Sequence, residues 1–325
     1  MKHFFSTLCL GLVLSTTLLT SCHKDSVEPS IANSAVANDD FSVLEDAAIR
    51  GGVAVVLTNK AANGGDYTVF APTNAAFARL GLRSAEDLLA LRKPFLTTTL
   101  LYHTAAGLLP GSSLQPGSTT ASVAGPARRI IGRNGALYVN GSQLLARDVQ
   151  AANGLVHPID KVLLATGADI VQSALALKNG QVFVQPELTF LVEALVYCEL
   201  TGALTASPGS PSFTVFAPTD AAFKQLGQQL GVSLAQPADI RKLPKATVTA
   251  VLLNHVVNNG GKFTPEFADN GSLPTLGGGT LTMGTFAAGV IPVRGKGNDQ
   301  PATLVIPDVQ CTNGVVHVID RVLLP

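Results

Sequence analysis

The sequence predicts two tandem copies of one domain, each built from short strands and a few helices. Two blocks of residues occur twice in the same order, and each combines a β-prone run with turn-forming residues. The 325 residues leave room for two cores of ordinary domain size. The 31 glycines and 19 prolines indicate many tight loops between short elements. Because each copy is longer than about 100 residues, the pattern favours a duplicated domain over a solenoid of short repeats.

The start of the chain is typical of a secretory signal. A basic start at Lys2 and His3 precedes an apolar stretch from 4 to 19, which is too short and too often interrupted by Ser and Thr for a membrane-spanning helix. The following Leu-Thr-Ser-Cys resembles the lipobox of bacterial lipoproteins, in which the cysteine is lipidated and becomes the mature N-terminus. This predicts a lipid anchor at Cys22. The alternative is a plain signal peptide in which Cys22 occurs by chance.

The segment after the lipobox predicts a flexible tether. It lacks apolar periodicity and is rich in Ala, Asn and Ser. We therefore divide the chain into a lipoprotein signal peptide at 1–22, a tether at 23–40, a first domain at 41–166 and a second domain at 167–325.

The charge balance argues against nucleic acid as a partner. Lys and Arg together number 22, as do Asp and Glu, so no excess positive charge is available to neutralise phosphates. The densest basic positions, Arg92-Lys93 and Arg128-Arg129, are isolated pairs, and we interpret them as solvated loop charges.

The first repeated block predicts a strand followed by a helix. Thr68–Phe77 returns at Thr214–Phe223 with one difference, Asn74 against Asp220. A β-prone Thr-Val-Phe run ends before a proline, since the residue preceding proline favours an extended conformation. The threonine after the proline can then cap a helix. The residues assigned to this structural motif are Thr68, Phe70, Pro72, Thr73, Thr214, Phe216, Pro218 and Thr219.

The second repeated block predicts a tight turn and a buried closing strand. Residues 153–164 return at 313–324, and each copy begins with Asn-Gly followed by an apolar, β-prone run. We expect the histidines in these runs to fix neighbouring backbone by hydrogen bonds, and the aspartates to accept from turn amides or pair with nearby cations. These residues are His157, Asp160, His317 and Asp320.

Between the two blocks, the first copy predicts helices around Leu88-Leu89 and Leu100-Leu101, followed by short strands at 129–131 and 136–139. In the second copy, we expect the corresponding strands at 281–283 and 303–306. The Gly-Gly-Gly at 277–279 follows no strand-to-helix pattern and is typical of a hairpin tip.

Taken together, these motifs resemble the fasciclin domain. A Leu-Leu-x-His segment at 100–103 and 252–255 lies between the two blocks, and the resemblance covers roughly residues 40–165 and 168–325. It implies an α+β, β-rich fold, with each domain a β-sandwich or wedge of about seven strands decorated by several helices. It also implies extracellular or surface-anchored adhesion or matrix attachment, without established catalytic machinery.

The resemblance also supplies candidate interaction residues. In animal members a Tyr-His pair has been tied to integrin-dependent adhesion. Tyr102-His103 matches that pair, whereas Asn254-His255 departs from it at the first residue. We therefore take Tyr102, His103, Asn254 and His255 as candidate interaction residues.

Metal binding and catalysis are the competing interpretations of the polar residues. The four histidines of the folded part show no ligand spacing such as His-x-x-x-His, so we expect no metal and no cofactor. No nucleophile elbow, phosphate loop or dinucleotide fingerprint occurs, and we expect no enzyme. Cys198 and Cys311 are either bridged or two separate buried thiols; the sequence leaves both possibilities open.

The sequence thus predicts a membrane-anchored, extracytoplasmic and non-catalytic lipoprotein for adhesion or for interaction with matrix or protein. We expect it in the bacterial cell envelope as an outer membrane lipoprotein, with display at the cell surface as the finer expectation. Expected partners are the membrane, through the lipid, and extracellular matrix, polysaccharide or a surface protein. The alternative is a binding protein for a small apolar ligand or a polysaccharide, held between domains or under a helix. An enzyme would instead need a polar pocket beside an exposed His103 or His255.

Overall fold

The computed structural model describes residues 29–61, 64–179, 188–205 and 212–325. The signal peptide and the lipidation site predicted at Cys22 lie outside these residues. In the described part of the chain, no helix combines the length and apolar character needed to cross a membrane.

The first repeat contains five helices and nine strands within the described residues. The helices are α1 (Ile31–Val36), α2 (Ser42–Gly51), α3 (Ala54–Thr58), α4 (Asn74–Ala78) and α5 (Lys93–His103). The strands are β1 (Tyr67–Pro72), β2 (Thr104–Ala106), β3 (Thr119–Thr120), β4 (Arg128–Arg133), β5 (Ala136–Val139), β6 (Ser142–Gln143), β7 (Val149–Ala151), β8 (Gly154–Ile159) and β9 (Leu164–Ala165).

The second repeat contains four helices and seven strands within the described residues. The helices are α6 (Ile170–Asn179), α7 (Thr189–Tyr197), α8 (Asp220–Gln229) and α9 (Lys245–Asn254). The strands are β10 (Phe213–Pro218), β11 (Val256–Val257), β12 (Ser272–Pro274), β13 (Thr280–Met283), β14 (Val293–Gly295), β15 (Leu304–Cys311) and β16 (Gly314–Ile319). Short 3-10 helices lie at Asp39–Phe41, Asp87–Ala90, Gly111–Ser113, Thr201–Leu204, Pro237–Lys242 and Thr264–Glu266.

Each domain places one central sheet between two apolar layers. The central sheets have the strand orders β2-β1-β8-β7 and β11-β10-β16-β15-β9, and in each the two inner strands from the repeated blocks are parallel. Alternate residues of a strand face opposite sides of a sheet. Val69 therefore packs with the helices, whereas Phe70 packs with the smaller sheet β3-β4-β5-β6. The expected α+β class with two tandem domains is confirmed.

The strand-to-helix corner is confirmed in both copies. The Thr73 hydroxyl accepts a hydrogen bond from the Ala76 amide at 3.3 Å, and the Thr219 hydroxyl accepts one from Ala222 at 3.2 Å. Each threonine thus satisfies an amide at the helix start that has no partner within the helix.

The Asn-Gly turns require glycine because two strands meet closely there. A Cβ placed on Gly154 would lie 1.8 Å from the carbonyl oxygen of Tyr67, and one on Gly314 would lie 2.1 Å from that of Phe213. These carbonyls belong to the strands that pair with β8 and β16. A side chain at either position would therefore push the inner strand pair apart.

The closing strand of the first copy is shorter than predicted. It ends at Ile159, because the next two residues turn toward β6: the Asp160 amide donates to Gln143 O at 3.1 Å and the Lys161 amide to Ser142 Oγ at 2.9 Å. The chain becomes extended again only in β9, which pairs in parallel with β15 of the second domain.

The predicted tether is wrong for its C-terminal part. Residues 31–36 form α1, which begins at the capping residue Ser30, and the Ile31 side chain is buried in the first core. The Ile31 amide donates to Asn153 Oδ1 at 2.8 Å, and in the second domain the Ile170 amide donates to Asn313 Oδ1 at 2.9 Å. Each domain therefore begins with a helix that is tied to its Asn-Gly turn.

Candidate functional site

Tyr102 lies at the end of α5, where it connects the two domains. Its side chain is buried, and its hydroxyl donates to Gln310 Oε1 on β15 while accepting from Asn140 Nδ2 at 2.7 Å. Burial raises the pKa of Tyr102 to about 12, despite the opposing hydrogen bond from Asn140. The phenol is therefore a neutral part of the domain interface.

His103 joins helix α5 to the segment after β8. Its Nδ1 lies 2.7 Å from Thr99 O, and the Leu163 amide donates to its Nε2 at 2.9 Å. A ring that accepts at Nε2 must carry its single proton on Nδ1, so the hydrogen-bond network assigns the neutral tautomer. Burial lowers the pKa of His103 to about 4.

His255 repeats this arrangement in the second domain. Its Nδ1 lies 2.7 Å from Val251 O, the Leu323 amide donates to its Nε2 at 2.8 Å, and burial lowers its pKa to about 4. The adjacent Asn254 is also buried; it donates to Leu323 O at 3.1 Å and accepts from Thr275 Oγ1 at 3.1 Å. Both residues hold the C-terminal segment against helix α9.

The interaction role expected for these four residues is contradicted by their burial. Tyr102, His103, Asn254 and His255 are each no more than 2% exposed, and their polar atoms bond to other parts of the same chain. A partner approaching the folded protein would not reach them. Their burial also removes the arrangement that an enzyme would need beside an exposed His103 or His255.

The histidines of the closing strands fix neighbouring backbone, as predicted. His157 Nε2 lies 2.9 Å from Leu109 O, and the Asp148 amide donates to its Nδ1 at 3.1 Å. The ring packs on Phe70, with the ring centroids 5.4 Å apart. Burial lowers the pKa of His157. In the second domain, His317 makes the corresponding contacts to Lys262 O, the Asp308 amide and the Phe216 ring.

The motif threonines and aspartates also bond to nearby backbone. The hydroxyls of Thr68 and Thr214 accept from the amides of Leu109 and Lys262 at 2.9 and 2.8 Å, respectively. Asp160 accepts from the Gln143 amide at 2.6 Å and lies 3.8 Å from the Arg79 guanidinium, and Asp320 accepts from the Thr303 amide at 2.7 Å. Both aspartates thus accept from backbone amides, but that of Gln143 lies in β6 and that of Thr303 directly precedes β15, whereas turn amides were predicted.

A buried ion pair between the domains was not predicted from the sequence. Lys161 Nζ donates to Asp308 Oδ2 at 2.8 Å and to Gly289 O at 2.7 Å, and both charged side chains are only 8% exposed. Burial alone would raise the pKa of Asp308, but the Lys161 ammonium, His317 and the Thr264 amide together lower it. The carboxylate is therefore charged, and Lys161 is the cation that compensates it.

Comparison with known proteins agrees with this architecture. A family model described as the Fasciclin domain matches residues 39–165 and 186–325. The chain belongs to the fasciclin domain family. The resemblance predicted from the repeated blocks is thereby confirmed.

Similar fasciclin-domain proteins come from animals and bacteria. The chain is 29% identical to "Transforming growth factor-beta-induced protein ig-h3" of Sus scrofa, over 80% of this chain and 35% of that protein. It is 38% identical to "Protein sll1483" of Synechocystis sp., over 42% of this chain and 73% of that protein. It is 39% identical to "Cell surface glycolipoprotein MPB83" of Mycobacterium bovis, over 31% of this chain and 45% of that protein. The chain therefore spans only about a third of the ig-h3 protein.

A solved structure also resembles the chain. It is a FAS1 domain pair from the insect cell adhesion molecule Fasciclin I, with 17% sequence identity and a TM-score of 0.39, covering 90% of this chain and 96% of that one.

Two arginines of β4 extend the interface between the fasciclin domains. Arg129 donates to Gly261 O at 2.6 Å and lies over the Phe263 ring at 4.5 Å from its centroid. Arg133 lies over the Phe286 ring at 4.4 Å and pairs with Asp269 at 2.6 Å. An arginine that both stacks and donates loses little of its hydrogen bonding on burial. The two side chains thus fix β4 against the second domain.

The interpretation of Arg128-Arg129 as solvated loop charges is therefore wrong. Both lie on β4, and Arg128 is fully buried: it donates to Tyr102 O at 2.7 Å and to Thr120 Oγ1 at 3.2 Å and lies over the Phe70 ring. Burial lowers its pKa to about 10. Local sequence gives no sign of this, since a charged side chain becomes buried only when other parts of the chain accept its hydrogen bonds.

The cysteines of the described residues, Cys198 and Cys311, are both buried and unbridged. This decides between the two possibilities that the sequence left open. Burial raises the pKa of the Cys311 thiol, whose sulfur lies 3.3 Å from Ser173 Oγ. In the described ranges, no three His, Cys, Asp or Glu side chains converge as a metal site would require.

Proposed function

We propose that this fasciclin-domain pair is a non-catalytic adhesion or interaction module of the bacterial envelope, anchored to the outer membrane by a lipid on Cys22 and displayed at the cell surface. The partner would be matrix, polysaccharide or a surface protein. The lipobox-like Leu-Thr-Ser-Cys supports the anchor. A relative bearing the name cell surface glycolipoprotein supports the location, and the fasciclin family supports the role.

The observation that carries the non-catalytic role is the use of the reactive side chains within the fold. All four histidines of the described domains are buried, and each bonds through both ring nitrogens to backbone of the same chain. A general base must reach its substrate and titrate near the working pH. Rings that are covered and whose pKa is lowered meet neither requirement.

The interface between the domains supports binding by a preformed surface. The Lys161–Asp308 pair, the β9–β15 pairing and the stacked arginines of β4 hold the domains in one arrangement. The binding of a partner that contacts both domains would then lose little free energy to ordering the domains. We accordingly expect recognition to involve exposed residues of both domains together.

Complementation of a deletion strain tests the proposal. We expect wild-type chain to restore attachment to surfaces coated with the host's own matrix and to be digested by protease added to whole cells. Cys22→Ala should abolish both, because the protein would no longer be anchored at the surface. Cys9→Ala, within the same leader but outside the lipobox, is the matched control and should behave as wild type. Unchanged attachment after gene deletion would refute the adhesion role, and protection of the wild type from protease would refute surface display.

A further inference from the structure

The first domain contains an apolar cavity that the proposed function does not use. Its volume is about 310 Å³, and it lies between helices α1 to α3 and the face of the central sheet formed by β1 and β8. Ile31, Phe41, Leu44, Leu57 and Val69 form much of its wall, and all five are buried. Ligand sites in proteins usually measure about 300–1,000 Å³, and this cavity reaches that range.

The second domain has a corresponding cavity of only about 30 Å³. Its wall includes the counterparts of those five residues, namely Ile170, Leu188, Leu191, Leu204 and Val215. The difference therefore arises in two copies that share the same elements and much of the same wall. A feature required by the fold alone would be expected in both.

One substitution contributes to the difference. The amides of Val43 and Phe190 bond equivalently to Asn74 Oδ1 and Asp220 Oδ1, both at 3.0 Å, which aligns helix α2 with helix α7. Five residues further along each helix, the first domain has Ala48 and the second has Leu195, and each lines its own cavity. The leucine side chain occupies space that the alanine leaves empty.

The mouth of the larger cavity combines apolar residues with a few uncharged polar ones. Ile49 and Val149 both line it and are 62% and 43% exposed. Exposed apolar residues that continue into an apolar cleft are typical of a ligand site. The one ionisable residue among the described lining residues is Glu45, which is half-buried. A carboxylate at this place disfavours an anionic ligand group.

We propose that this cavity binds the alkyl chain of a lipid whose end at the mouth is uncharged, as in an ester or an alcohol. The buried part of the wall is apolar and would leave the hydroxyls of a sugar without partners, which makes a polysaccharide a poor occupant. With about 30 Å³ for each water-sized group, the cavity holds a segment of roughly ten methylenes. The remainder of a longer alkyl chain would extend out of the cavity past Ile49 and Val149.

Titration of the full chain carrying Cys22→Ser, which has no lipid of its own, with the fluorescent methyl ester of cis-parinaric acid, a linear 18-carbon probe, tests this inference. We expect saturable binding of one probe per chain, weakened about tenfold or more by Ala48→Leu, which introduces the residue that the second domain carries. Leu195→Ala is the matched control and should leave this site intact. Circular dichroism reports whether both variants fold. Absence of saturable binding, or unchanged binding by folded Ala48→Leu, would overturn the proposal.

Two further measurements do not depend on a filled cavity. Hexadecanol should displace the probe, whereas cholesterol, which is too wide, should not. The free acid of the probe should bind more weakly than the ester, and Glu45→Gln should reduce that difference. Displacement by cholesterol as effective as by hexadecanol, or equal binding of acid and ester, would contradict the shape and charge that we assign to the ligand.

A comparison of lipidated protein with the full chain carrying Cys22→Ser identifies the source of the alkyl chain. This comparison alone rests on the proposed anchor. If the chain's own lipid occupies the cavity, the lipidated form will not bind the probe and the Cys22→Ser form will; if the occupant is a free lipid, both forms will bind it. Failure of both forms to bind would overturn the cavity proposal and would leave the proposed adhesion untouched.

Discussion

Acidification should destabilise the protein through His103 and His255. Each ring accepts a hydrogen bond from a backbone amide, of Leu163 or Leu323, at a nitrogen that must carry no proton. Protonation would place two donors against each other in a site without water access. We therefore expect the free energy of unfolding to fall between pH 7.5 and pH 5.

The size of the effect follows from the two pKa values. Each ring has a pKa of about 4 when folded, against 6.5 as the ordinary value. The unfolded chain binds more protons between these values, so the stabilisation is complete above pH 6.5 and is lost as the pH falls toward 4. At pH 5 each histidine should lower the free energy of unfolding by on the order of 2 kcal/mol, and the pair should lower it by about 4 kcal/mol. His157 and His317 act in the same direction, because burial lowers both pKa values.

Urea unfolding followed by far-UV circular dichroism at pH 7.5 and pH 5 measures this loss. The matched control is the double variant His103→Gln/His255→Gln, whose amides can still donate to the helix carbonyls and accept from the two backbone amides. We expect its loss of stability on acidification to be about 4 kcal/mol smaller than that of the wild type. An equal loss in both proteins, or no loss in the wild type, would refute the reasoning.

Three substitutions test other parts of the structure by the same assay. Lys161→Met should destabilise by about 3–5 kcal/mol, since it leaves Asp308 charged and buried without its partner. Gly154→Ala should lower the free energy of unfolding by about 3 kcal/mol or more, because the new Cβ would lie 1.8 Å from Tyr67 O. Thr219→Ala should cost about 1 kcal/mol, as helix α8 loses its capping oxygen.

Each of these variants has a control within the chain. Lys60→Met removes an exposed ion pair with Asp66 and should change stability by less than about 1 kcal/mol. Gly202→Ala places a Cβ where no atom lies within 4 Å and should be nearly neutral. Thr219→Ser keeps the hydroxyl. If a control proved as destabilising as its counterpart, the contact in question would not be the cause.

Sequence reasoning succeeded where a short segment determines its own structure. The Thr-Val-Phe run and Thr73 specify a strand and a helix cap within a few residues, although β1 continues through Pro72 and does not end before the proline, as was predicted. The roles of His157 and His317 followed from a general requirement, since a buried ring must find hydrogen-bond partners. Because these motifs occur twice, the same interpretation applied to both copies.

The contacts between the domains were missed because they join residues far apart in the sequence. Lys161 and Asp308 are 147 positions apart, and Tyr102 and Gln310 are 208 apart. No local pattern shows that such groups meet. One signal was available: Asp-Val-Gln occurs at both 148–150 and 308–310, which indicates a further shared segment before each Asn-Gly turn.

The first helix was missed for a different reason. A helix of six residues has little stability of its own, and α1 depends on the burial of Ile31 and on its bond to Asn153. Here too the repeat held a signal, because Ile-Ala-Asn-Ser-Ala at 31–35 matches Ile-Val-Gln-Ser-Ala at 170–174. Comparison of these segments would have placed residues 31–35 within the repeated domain instead of in a tether.

The central claim is that the two fasciclin domains form one rigid body, fixed by Lys161, Asp308 and the arginines of β4. Residual dipolar couplings of backbone amides, measured by NMR in one weakly aligned sample, test it most directly. We expect the couplings of both domains to fit a single alignment tensor in the orientation of the structure. Two tensors of different magnitude, one for each domain, would show that the domains move independently and would contradict the account.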